Sequence, residues 1–257
     1  MIKKGVSYGG GLSTESIFVH KPITMELKTI MTAIIQVKNE NGAVICSDTW
    51  NHGNKNHYIQ KIFYNKENKV MIAQAGDNGV YLENNSLWLI SNIFQDFCDN
   101  FNSRKSDVCI NELNEILSKF IYKITLNGNK RQSLVQYILV YFDENSNIET
   151  LFYENCRTKN GNYILSEEII MNKQEMIKSE LNEYCLYIGN EIKNKNSEFK
   201  NITFSGQTLL CIKNIAIDYI KNEIQKENHL SDEERFIGGN IHYITMDNKG
   251  NIETNIT

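Results

Sequence analysis

Long apolar runs are missing from the 257 residues: none reaches the roughly 18 residues that a membrane-spanning helix needs, and the opening MIKKGVSYGGGLST lacks the apolar core of a secretory signal. A cytoplasmic protein with no membrane partner is expected. Paired cysteines are missing as well. Cys46, Cys98, Cys109, Cys156, Cys185 and Cys211 stand singly, with no CxxC pair and no nearby histidine at zinc-ligand spacing. Zinc modules and disulfide scaffolds are disfavoured, and free thiols in a reducing compartment fit best. An excess of positive charge is absent too; the formal net charge of −4 gives no electrostatic reason to expect a nucleic-acid partner. The residues present are ordinary for a globular chain, with 41% hydrophobic and 23% charged, and the length suffices to bury a core without disulfide or metal staples. No cofactor is expected.

Residues 1–31 differ from the rest of the chain. They hold Gly9-Gly10-Gly11, the single proline, Pro22, and no sustained periodicity, and they read as an extension or propeptide. An edge strand through Ser16-Ile17-Phe18-Val19 is the alternative. From Thr32 short apolar runs take over. TAIIQV at 32–37 and AVICS at 43–47 flank the turn-like Asn39-Glu40-Asn41-Gly42, and KIFY at 61–64 and KVMIAQA at 69–75 flank Asn65-Lys66-Glu67-Asn68, so two hairpins are predicted.

Val80, Leu82, Leu87, Ile90, Ile93, Phe94 and Phe97 then recur at near-helical spacing, which predicts a long helix from about Gly76-Asp77-Asn78 to residue 101, with a second over 108–124. Strands are predicted next at 133–142 and 148–153. Residues 155–200 are polar and rich in Lys and Asn around one strand candidate, YCLYIG at 184–189, and read as an embellishment. ITFSG at 202–206 predicts a strand with a small turn, 208–224 a helix buried through Leu209, Ile212, Ile215, Ile217 and Ile220, and 238–247 with 251–256 a closing hairpin. Strands on both sides of helix pairs suggest two stacked sheets covered by helices.

Chemistry concentrates on Thr32, Asp48, Lys61, Gly76 and the pair Ser205-Gly206. Singly, each has an ordinary explanation: a strand-forming Thr, a turn Asp, a solvated edge Lys, a glycine before a helix, a helix N-terminal Ser. His52 and His57 share a loop without an evident third metal ligand, and Trp50 and Trp88 read as packing residues. The Lys-rich stretch at 191–200 reads as a solvated loop.

As an ordered set, these residues resemble the proteasome β-subunit family, and in particular its small bacterial members. In that family a Thr opens the first strand, an Asp ends the second and a Lys opens the third, as in Met31-Thr32-Ala33-Ile34-Ile35, Cys46-Ser47-Asp48-Thr49 and Gln60-Lys61-Ile62, with the sixteen residues from Thr32 to Asp48 that the pattern has. A small-residue turn is matched by Ala75-Gly76-Asp77-Asn78, a Ser-Gly turn by Phe204-Ser205-Gly206-Gln207, and a late Gly-Gly strand by Gly238-Gly239-Asn240-Ile241. The Asp-to-Lys loop is a few residues shorter than usual. Glu234 stands where the family has Asp, Ile237 where it often has Ser, and Met31 where self-processing members carry Gly.

The resemblance implies an α+β fold, a four-layer αββα sandwich of two antiparallel sheets flanked by helices as in N-terminal-nucleophile hydrolases. This domain would span 32–257 with an insertion near 155–200. It also implies a threonine-type endopeptidase whose nucleophile, Thr32, becomes N-terminal when residues 1–31 are removed, by cleavage of the 31–32 bond or by translation starting at Met31 and loss of that Met. A Thr hydroxyl is a weak nucleophile, and an N-terminal Thr can use its own α-amine, of pKa roughly 7.7–8.0, as base. By the same analogy Lys61 keeps that amine neutral, Asp48 orients Lys61, the Gly76 N–H donates to the oxyanion, and Ser205 and Glu234 stand near the amine. Ile59, Gln74 and Asn78 would line the pocket for the residue before the cleaved bond. The implied partners are a peptide or unfolded-protein substrate, further copies in a homo-oligomeric ring, and, where one feeds the chamber, an ATP-dependent unfoldase. A silent ring-forming subunit that keeps residues 1–31, and an amidase acting on a small amide, are the alternatives.

Overall fold

The computed structural model describes residues 32–51, 58–82, 85–127, 132–158, 163–165, 184–188 and 203–257. In chain order the elements are β1 (Ile34–Asn39), β2 (Gly42–Asp48), β3 (Ile62–Asn65), β4 (Val70–Gly76), β5 (Gly79–Tyr81), β6 (Leu87–Leu89), α1 (Ile90–Asn100), α2 (Ser106–Asn127), β7 (Gln132–Phe142), β8 (Ile148–Thr158), β9 (Tyr163–Leu165), β10 (Tyr184–Ile188), α3 (Leu209–Glu227), β11 (Ile241–Asp247) and β12 (Ile252–Ile256). One sheet has the order β10-β1-β2-β11-β12 and a second β3-β4-β7-β8-β9, all neighbours antiparallel.

Alternation along the strands sorts their side chains into three apolar layers. Ala33, just before β1, and Ile35 and Val37 on it pack with Ile212, Ala216 and Ile220 of α3. Ile34 faces the other way and joins Ile45, Ile62, Ala73, Ile138 and Ile244 between the two sheets. On β4, Val70 and Ile72 pack with Ile93, Phe94, Leu117 and Phe120 of α1 and α2. The layers therefore run helix, sheet, sheet, helices, the four-layer αββα sandwich expected from the sequence. Both central sheets are covered on both faces, which is why their strands read as nearly unbroken apolar runs. Among the described residues no helix is long and apolar enough to cross a membrane.

Three elements differ from expectation. The long helix after Gly76 starts only at Ile90, because Gly79–Tyr81 and Leu87–Leu89 pair as the antiparallel strands β5 and β6 instead. A positive φ of 61° at Asn85 makes their turn and rules out helix there. The segment Thr203–Gly206 is a turn and not a strand. Within the stretch expected as an embellishment, β10 pairs with β1 in the register Ile34↔Ile188 and is an edge strand of the first sheet. The proposed extension at 1–31, both histidines at 52 and 57, and the Lys-rich stretch to residue 200 lie outside the described residues.

Candidate active site

Thr32 precedes β1 and Asp48 ends β2, both in the first sheet; Lys61 precedes β3 in the second. The β1–β2 register, Ile34↔Ser47, returns the chain so that Asp48 lies beside Thr32, and the Asp48 N–H donates to the Ala33 carbonyl at 3.1 Å. Lys61 reaches across from the second sheet and its Nζ donates to Asp48 Oδ1 at 2.8 Å. That same oxygen accepts from Thr32 Oγ1 at 3.1 Å and from the Ala33 N–H at 2.8 Å. The second oxygen, Oδ2, accepts from the Trp50 N–H at 3.2 Å and the Gly238 N–H at 3.3 Å. Asp48 is fully buried and Thr32 and Lys61 nearly so.

A buried carboxylate is costly unless it is paired and hydrogen-bonded, and these five donors supply the compensation. Burial pulls Lys61 below its ordinary pKa of 10.5, opposed by the charge of Asp48 and the hydrogen bond to it.

The Gly238-Gly239 pair explains how the late strand closes on this site. Gly239 has φ +73°, and a Cβ there would lie 2.7 Å from Thr49 Oγ1, so only glycine lets the backbone approach. The approach places the Asn240 N–H 2.9 Å from Thr49 Oγ1 and the Gly238 N–H on Asp48. Trp50, expected as a packing residue, lies under Gly238 and the Arg235 guanidinium and donates its indole N–H to the Arg235 carbonyl at 3.1 Å.

Sequence reasoning missed Glu227, the last residue of α3. Its Oε2 accepts from the Phe236 and Ile237 N–H groups at 2.6 and 2.8 Å and so shapes the turn that presents Gly238. A carboxylate at a helix end looks solvated in sequence, and only the returning loop reveals its role.

Gly76 closes β4 with φ +106°. Two residues earlier the Gln74 N–H donates to the Lys61 carbonyl at 2.9 Å, so Gly76 lies at the Lys61 end of the second sheet. The buried Gln74 side chain donates to Asn78 Oδ1 at 3.1 Å, and among the described residues its own Oε1 has no hydrogen-bond partner.

The remaining two expected residues are not brought to Thr32. Ser205 sits with Gly206, whose N–H donates to Glu40 Oε1 at 2.6 Å, and Asn39 Nδ2 donates to the Phe204 and Gln207 carbonyls at 2.8 Å each. This is the far end of β1, roughly 20 Å from Thr32 at about 3.3 Å per residue. Glu234 is in the loop that leads to Gly238, but it is exposed and its carboxylate accepts from the hydroxyl and N–H of Ser231 at 2.8 and 3.3 Å. Those two bonds hold its pKa below the ordinary carboxyl value.

No protein-family model matches the sequence, and no curated protein matches it. Among solved structures, the chain is similar to the Anbu (Gly-1) mutant from Hyphomicrobium sp. strain MC1, with a TM-score of 0.48 and 11% sequence identity over 88% of this chain and 86% of that one.

Proposed function

We propose that this chain is a threonine-type peptide hydrolase of the proteasome-like, N-terminal-nucleophile kind, with Thr32 as nucleophile. One observation carries the reading: a single buried oxygen, Asp48 Oδ1, accepts from the Thr32 hydroxyl, the Ala33 N–H and the Lys61 ammonium together. Removal of residues 1–31 converts the Thr32 amide nitrogen into an α-amine beside its own hydroxyl. That amine takes the hydroxyl proton as Oγ1 attacks the substrate carbonyl carbon, then delivers it to the departing peptide amine, leaving an ester on Thr32. Water attacks the ester, giving a proton back to Oγ1 and releasing the acid. The Lys61 charge disfavours a protonated amine and so keeps the base available, while Asp48 holds Lys61 in place. The Gly76 N–H is the proposed oxyanion donor, and a homo-oligomeric ring is the proposed assembly.

Two observations favour the silent-subunit alternative: Ser205 is remote from Thr32, and Glu234 turns to Ser231. Intact mass and labelling by a threonine-directed electrophile decide between the two. The hydrolase reading expects a species beginning at Thr32 that takes up the label, and a fall of about 10³ or more in peptide cleavage in Thr32→Ala. A persistent full-length chain that resists the label overturns it.

A further inference from the structure

The hairpin β5–β6 begins three residues after Gly76, where the sequence periodicity predicts helix. Its two faces differ sharply. Val80 and Trp88, directly opposite each other, turn inward: Val80 is buried in the α1–α2 core, and Trp88 meets the Phe120 ring edge-on at 5.4 Å. Tyr81 and Leu87 are also directly opposite each other, but they are 67% and 46% exposed. Gly79, with no side chain, leaves room for two leucines; a Cβ there would lie 3.0 Å from Leu89 Cδ2 and 3.4 Å from Leu87 Cδ1. The outer face is thus an apolar shelf of Tyr81, Leu87 and Leu89 folded over Gly79.

The shelf is pinned to the candidate site at its base. Asn78 accepts from the Gln74 side chain through Oδ1 and from the Ile90 N–H through its carbonyl at 2.9 Å, while the Gln74 N–H binds the Lys61 carbonyl. The three residues from Gly76 to Gly79 span at most about 10 Å, so the base of the hairpin lies near the Lys61 end of the second sheet. An exposed apolar surface rising from that base suits an apolar side chain of a bound substrate, since the contact removes apolar area on both partners from water.

From this geometry we infer that the β5–β6 hairpin is the specificity element of the site, its Tyr81-Leu87-Leu89 shelf holding a bulky apolar side chain of an extended peptide beside Gly76. The inference rests on the peptide-hydrolase reading of Thr32. Unfolded segments carrying Leu, Phe or Tyr are then preferred over otherwise identical segments carrying Asp or Lys.

The test uses protein expressed as the full chain and two readouts. The first is covalent labelling of Thr32 by a small β-lactone that bears no side chain; the second is kcat/KM on matched short peptides that differ at one position, Leu or Phe against Asp or Lys. Expected are labelling, a preference for the apolar peptides, and, in Tyr81→Ser with Leu87→Ser, a loss of about tenfold in kcat/KM on those peptides, mainly through KM, at unchanged labelling. Both substituted residues are exposed, so folding is preserved, and Leu87→Asp alone is expected to shift preference toward the Lys peptide. If the unaltered chain labels and cleaves but its selectivity survives these substitutions, the shelf is not the specificity element. If the unaltered chain neither labels nor cleaves, the hydrolase reading falls and takes the inference with it.

Discussion

The two ends of β1 are both buried and polar, yet they are built from different chemistry. At the Thr32 end an ion pair is enclosed, and five donors converge on one carboxylate. At the Asn39 end the buried contacts are neutral: Asn39 and Asn41 donate to the backbone carbonyls of Phe204 and Gln207, and the charged group nearby, Glu40, accepts from the Gly206 N–H at the exposed surface. The neutral end closes the fold, tying the turn before α3 to the first hairpin. The ionic end adds something that closure does not need, a lysine moved from its ordinary pKa beside a hydroxyl. Perturbed titratable groups of that kind mark candidate functional sites, whereas satisfied amides do not.

The contrast can be broken most forcefully at Asp48. Asp48→Ala leaves the Lys61 cation buried without its partner and the Ala33, Trp50 and Gly238 N–H groups unsatisfied; a loss of about 3–5 kcal/mol is expected in urea unfolding, together with loss of Thr32 labelling. At the opposite end, Asn39→Ala removes two hydrogen bonds, although the Phe204 and Gln207 carbonyls keep the Gln207 N–H and Asn41 Nδ2 as donors, and it is expected to cost about 1–3 kcal/mol while labelling of Thr32 is unchanged. Loss of labelling there would mean that the two ends are coupled.

A pH series sharpens the comparison next. Because burial lowers the folded-state pKa of Lys61 below 10.5, the folded chain releases this proton before the unfolded chain does. Between the two pKa values the unfolded state binds more protons, so this group makes stability rise with pH in that window. The rise is at most about 1.4 kcal/mol for each pH unit between the folded and unfolded pKa, and Lys61→Met removes it. The alkaline limb of activity is expected below 10.5 for the same reason, as the cation that favours an ionised Thr32 hydroxyl is lost. The smallest effect belongs to Ser205. Ser205→Ala is expected to change stability by no more than about 0.5 kcal/mol and to leave labelling and the pH profile as they were; a fall in labelling would place Ser205 in the chemistry after all.

The strands are legible in the sequence because alternation and turn residues act locally: Asn39 to Gly42 and Asn65 to Asn68 connect the expected hairpins, and Ile34, Ile45, Ile138 and Ile244 fall on one layer by period alone. The segment after Gly76 is ambiguous in the same terms, since Val80, Leu82 and Leu87 read at near-helical spacing, while Val80 with Leu82 and Leu87 with Leu89 also recur every two residues. Packing of Val80 and Trp88 on α2 selects the strand. Ser205 is hidden for a different reason. A Ser-Gly turn before a helix is readable, but the direction of that helix across the sheet is not. The 19 residues of α3 span roughly 28 Å at 1.5 Å each, and its last turn, not its first, lies at the Asp48 end, where Glu227 shapes the loop to Gly238.

By itself the order of residues determined which strands alternate, which turns join them, and that Thr32, Asp48 and Lys61 stand at strand ends, because these depend on short-range backbone preference and side-chain period. Only the tertiary structure decided that Asp48 gathers five donors, that Lys61 crosses from the second sheet to meet it, and that Ser205 lies a strand's length away. Those outcomes depend on how layers stack and in which direction a helix crosses them, and burial, which lowers the pKa of Lys61, exists only once the layers have closed.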